Sequence, residues 1–123
     1  FMSTDSSVVL TKRVIITSSN PMTKEDFIKK IGEIAKNIID FLKKNGCRKL
    51  GHIKFISTTD GEDYLQLSIL DIAQKPMIKG ILRKTFGKIK LTFNIIEFGV
   101  RKEEINSKIN EEMENIQKYF NNK

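Results

Sequence analysis

A chain of 123 residues, 39% hydrophobic and 30% charged, has the size of one domain and enough apolar side chains to bury a core. Its 22 Lys and Arg against 15 Asp and Glu give a formal charge of +7, which favours acidic partners such as nucleic acid. Cys47 is the one cysteine and His52 the one histidine, which excludes a disulfide scaffold and leaves a structural zinc site short of ligands.

No apolar run approaches the roughly 18 residues that cross a bilayer. The first residues are polar and lack the basic-then-apolar pattern of an export signal. The expectation is a cytoplasmic protein without a membrane partner, with residues 1–7 as a disordered N-terminal segment and 8–123 as a single domain.

In chain order, Val8–Thr17 reads as the first strand, rich in Val, Ile and Thr. It is apolar at both parities, Val8, Leu10, Val14 and Ile16 on one and Val9 and Ile15 on the other. That pattern predicts a central strand covered on both faces. Ser18-Ser19-Asn20-Pro21 reads as a break. Thr23 then offers a helix N-cap, and Phe27, Ile31, Ile34, Ile38 and Leu42 recur at helical spacing until Asn45-Gly46 ends the run.

Residues 50–58 and 64–72 read as a hairpin around Asp60-Gly61. A three-residue loop at 60–62 sets Phe55 opposite Leu67 and Ile53 opposite Ile69. A two-residue loop would set them opposite Gln66 and Ser68, so the apolar match favours the longer loop. Residues 76–86 read as either a short helix or a structured loop, because Met77, Ile78, Ile81, Leu82 and Phe86 have helical spacing but Gly80 intervenes. The next strand spans 89–98, with a parity change at Ile96 and Phe98 that suggests a bulge or the edge of the core. From Lys102 onward Ile105, Ile109, Met113, Ile116 and Phe120 form a helical stripe.

The order β-α-β-β-(α)-β-α predicts an α+β two-layer sandwich, with a mostly antiparallel sheet of about four strands and helices on one face. With 76–86 helical, the first six elements match a ferredoxin-like order followed by an extra C-terminal helix.

The chemistry-bearing residues form no enzyme motif. Asp60, Glu62 and Asp63 lack the spacing of a calcium loop, and the seven glycines form neither a dinucleotide fingerprint nor a P-loop. No catalytic residue, cofactor or metal site is assigned. His52 reads as a strand-surface residue and Cys47, beside Arg48 and Lys49, as a structural thiol.

Charge is more informative. No acid lies between Asp40 and Asp60 or between Asp71 and Glu97, and these two stretches hold half of the basic residues. The expected nucleic-acid-binding residues are Lys79, Arg83, Lys84 and Lys88, then Lys43, Lys44, Arg48 and Lys49. Lys54, Lys90 and Tyr64 join them on a polar sheet face that also carries His52, Gln66, Ser68, Thr92 and Asn94. The C-terminal helix is acidic by contrast. The function expected is a small basic binding module for RNA or DNA. The alternatives are a protein-interaction subunit, self-paired as a homodimer, and an enzyme whose residues are too dispersed to form a visible motif.

Overall fold

The computed structural model describes residues 7–122. The elements are β1 (Ser7–Thr23), α1 (Lys24–Lys44), β2 (Lys49–Thr58), β3 (Tyr64–Ile69), β4 (Met77–Ile81), β5 (Thr85–Phe98) and α2 (Lys102–Asn121). Residues 1–6 of the expected N-terminal segment lie outside the described residues, and Ser7 opens β1.

One antiparallel sheet has the order β1-β5-β2-β3-β4. Both β1 and β2 run antiparallel to β5, so they are parallel to each other with β5 inserted between them. The α+β two-layer sandwich is therefore present, with five strands instead of about four. The hairpin register matches the longer loop, with Phe55 opposite Leu67 and Ile53 opposite Ile69.

Four local expectations are corrected. Residues 77–81 form neither helix nor loop but the outermost strand, β4. Met77 and Ile81 are four apart, a spacing that shares a face on a helix and on a strand alike, so it could not decide between them. With a strand there, the second helix of the ferredoxin-like order is missing and that order does not form. The first strand is an edge strand with one face open, not a central one, and Ser18–Pro21 is a bulge within it, after which Met22 pairs with Phe86. Along β5 the alternation does not break at Ile96. Glu97 keeps the core position, and the bulge lies across the ladder in β2, between Leu50 and His52.

The core lies on one side of the sheet. Leu10 and Ile16 of β1, Ile89, Leu91, Phe93 and Ile95 of β5, Ile53 and Phe55 of β2, and Leu65, Leu67 and Ile69 of β3 are all buried. Phe55 and Phe93 meet edge to face at 4.9 Å between centroids, a favourable aromatic geometry. The helices cover this side. Thr23 caps α1 by accepting from the Asp26 amide at 3.2 Å, and Phe27 of α1 packs against Phe86 and Phe120.

The two helices lie antiparallel to each other. At one end the Tyr119 hydroxyl donates to Asp26 at 3.0 Å, with Lys30 Nζ 4.0 Å from the centre of the Tyr119 ring. At mid-length Glu112, buried on α2, accepts from Asn37 Nδ2 at 3.2 Å and pairs with Lys108 at 3.1 Å. These partners satisfy a carboxylate whose burial would otherwise be costly. No helix among the described residues is long and apolar enough to cross a membrane.

Candidate nucleic-acid interface

Side chains of alternate strand residues point to opposite sides, so every strand that contributes to the core also contributes to the opposite face. The ladder registers place residues on that open face in rows. One row runs Ile15, Lys90, Thr58, Tyr64, Ile81; the next Arg13, Thr92, Ile56, Gln66, Lys79; the third Thr11, Asn94, Lys54, Ser68, Met77. Val9, Ile96 and His52 follow, and Lys49 stands beside Phe98 at the far end. The face thus carries Arg13, Lys49, Lys54, Lys79, Lys88 and Lys90, and among the described strand residues no carboxylate shares it; Asp60 lies in the loop at its hairpin end. Glu97, the acid of β5, points the other way into the core.

The sequence-derived residues distribute unevenly over this surface. Lys54, Lys79, Lys90 and Tyr64 lie within the face, and Lys88 lies at its end opposite Thr17. Lys43 and Lys44 end α1, and Arg48 and Lys49 lead into β2, at the end of the sheet where β5 finishes. From Lys88 to Phe98, β5 spans roughly 33 Å at the usual strand rise. The basic cluster at Lys43, Lys44, Arg48 and Lys49 and the one at Lys84 and Lys88 are therefore at opposite ends of the sheet, bridged by the face.

Arg83 has a different environment from the one its sequence neighbours suggest. Its guanidinium pairs with Asp60 at 3.1 Å and Asp63 at 3.1 Å, and its backbone amide donates to Asp63 at 2.9 Å. Thr59 also hydrogen-bonds Asp63. Those contacts, that of Thr59 first, hold the Asp63 carboxyl well below the usual carboxylate range. Arg83 thus fastens the hairpin loop to the β4–β5 connection, and its charge is already answered. Lys84 sits in the same connection, its carbonyl accepting from the Lys24 amide at 3.0 Å.

Arg13 is the cation that sequence reasoning passed over. It shares the parity of Val9 and Ile15, and those apolar neighbours give its face the pattern of a covered one. Tyr64 is 41% exposed and stands beside Gly80 of β4. Gly80 has φ +91°, and a Cβ there would lie 2.8 Å from the Tyr64 ring, so the ring rests where only glycine leaves room.

A cavity of about 680 Å³ opens at the hairpin end of the face. Ile15 gives it an apolar wall, Thr58 and Thr59 polar ones, and Lys88 and Lys90 cations, with the Asp60–Arg83 pair at its side.

Two titratable groups lie away from this surface. Burial raises the Glu97 carboxyl, against the opposing effects of hydrogen bonds from the Val100 amide and the Cys47 thiol. Burial, then the Glu97 carboxylate, pushes the Cys47 thiol up to about 11, so its basic sequence neighbours do not make it a thiolate at neutral pH. His52 is opposite Ile96 on the open face, and burial, then Lys54, lowers its pKa.

No protein-family model matches the chain, and no curated protein does. Among solved structures it is similar to a Zn(II)-bound triple mutant of the YjiA GTPase, at 15% identity and a TM-score of 0.41. It is also similar to the Zn(II)-bound YjiA GTPase from E. coli, at 15% identity and a TM-score of 0.39. Each match covers 80% of this chain and 28% of the other, so the chain spans under a third of the proteins it matches. A likeness of this degree carries no functional argument.

Proposed function

We propose that the protein is a nucleic-acid-binding module that meets its ligand with the open sheet face. The observation that carries this reading is the carboxylate-free set Arg13, Lys49, Lys54, Lys79, Lys88 and Lys90 on one face. Phosphates neutralised by such a set release counterions, which supplies affinity with little sequence information. Lys43, Lys44, Arg48 and Lys84 extend the positive field at the two ends of the face, and Arg83 supports the site structurally. The single free thiol, Cys47, fits a reducing, cytoplasmic setting.

The test is fluorescence anisotropy with labelled RNA and DNA across a salt series. Neutralising roughly six phosphates of a single strand gives an expected slope near −4 in log affinity against log salt. Absence of binding at low salt overturns the reading.

A second reading has its own observation. On β4, which has no neighbour on its outer side among the described residues, Met77, Ile78 and Ile81 are exposed, Ile81 to 76%. An apolar edge strand with one charge is a template for pairing with another chain, including a second copy. Light scattering over a concentration range tests it. A mass that doubles with concentration, and returns to that of one chain in Ile81→Glu, supports self-pairing. A single-chain mass throughout removes it.

A further inference from the structure

The cavity at the hairpin end of the face has features that a surface for phosphates alone does not need. Its volume, about 680 Å³, falls within the range typical of small-ligand pockets. Its walls are amphipathic, with Ile15, half exposed, offering aliphatic surface beside the hydroxyls of Thr58 and Thr59. The exposed Asp60 carboxylate pairs with Arg83 Nη1 at 3.1 Å and keeps lone pairs that can accept from the N–H groups of a base edge. Lys88 and Lys90 add positive charge beyond that ion pair. Tyr64 lies directly across the β2–β3 ladder from Thr58, one strand spacing of about 4.8 Å from the cavity wall.

We infer, resting on the nucleic-acid reading above, that the ligand is single-stranded. One unpaired base enters the cavity against Ile15, its flanking phosphates lie on Lys88 and Lys90, and the adjacent base stacks on Tyr64. A duplex keeps its bases paired and stacked and offers the face only its phosphates. An unpaired strand offers both phosphates and base faces, and stacking on an exposed aromatic tolerates any base.

The experiment compares a labelled ten-nucleotide RNA, its blunt duplex, and a strand of equal length with abasic sites, all with the unaltered protein. The single strand is expected to bind about ten-fold more tightly than the duplex, and the abasic strand to lose most of that advantage. Ile15→Ala and Tyr64→Leu, the latter keeping apolar volume over Gly80, should each weaken single-strand binding several-fold while leaving duplex binding and the salt slope unchanged. Equal affinity for all three ligands, with a normal salt slope, overturns the inference and leaves the phosphate-binding face standing. No binding to any of them overturns both.

Discussion

The two faces of β5 obey different rules. Toward the helices it presents Ile89, Leu91, Phe93 and Ile95, each inaccessible to solvent, and ends on Glu97. Toward the open side it presents Lys88, Lys90, Thr92 and Asn94, flanked by Ile15 and Arg13 from β1 and by Thr58, Ile56 and Lys54 from β2. One strand therefore carries both the stability of the domain and the centre of its proposed ligand surface. Substitutions one residue apart should separate the two.

The sharpest contrast is Phe93 against Thr92. Phe93→Ala removes the ring that meets Phe55 and should cost about 3–5 kcal/mol in denaturant unfolding. Thr92→Ala, its neighbour on the open face, should stay within about 0.5 kcal/mol. Equal costs would mean that the open face is covered in solution and would break the comparison.

Charge reversal tests the other face. The triple substitution Arg13→Glu, Lys54→Glu and Lys90→Glu should lower RNA affinity roughly ten- to hundred-fold and flatten the salt dependence. The unfolding midpoint should move little, because exposed charges contribute little to stability. A collapse of stability instead would assign these residues to the fold.

The helix-covered face of the sheet also contains two buried polar exceptions, Ser57 and Glu97, and each gives a smaller effect. Ser57 is fully buried, and among the described residues its hydroxyl has no hydrogen-bond partner. Ser57→Ala should therefore stabilise by about 1 kcal/mol in denaturant unfolding.

Glu97 gives a pH signature. Its pKa in the folded protein is raised above its ordinary 4.5, so the folded state holds its proton longer than the unfolded chain does. Its contribution is most favourable below that ordinary value and is lost as pH rises through the raised one. Glu97→Gln retains an oxygen to accept from the Val100 amide, which donates to Glu97 at 3.2 Å. It should raise the melting temperature at neutral pH, with the difference shrinking toward acid. A constant difference across pH would remove Glu97 as the cause.

Residues with strong periodicity were legible in the sequence. The α1 stripe, the α2 stripe and the hairpin register follow from spacing alone, because each has one arrangement that buries its apolar residues. What was hidden had competing physics. Met77, Ile78 and Ile81 lie on an edge that buries little, so no burial pattern identified them as strand. Glu97 occupies a core position that a charge pattern assigns to solvent. Val9 and Ile15 are apolar on a face left open, which disguised β1 as a central strand and hid Arg13 between them. The cations Lys54, Lys79 and Lys90 were legible as a basic set. Their convergence with Arg13 depends on β5 entering between β1 and β2, a connection that local patterns do not encode. The commitment of Arg83 to Asp60 and Asp63 was equally invisible, since those carboxylates precede it by some twenty positions.

The insertion of β5 has a consequence for how the chain acquires its structure. Leu10 finds its ladder partner only at Ile95, and Ile16 at Ile89, so β1 has no strand to join until almost the whole domain has been made. The hairpin of β2, β3 and β4 closes through short loops and can assemble early, whereas β1 waits, its Val, Leu and Ile side chains unsheltered. Such distant pairings slow the search for the native state, and the waiting segment is exposed to association with other chains. Refolding yield should accordingly fall with protein concentration more steeply than the stability of the finished domain would suggest. A chain ending before residue 89 should fail to form the sheet between β1 and β2, however stable its hairpin.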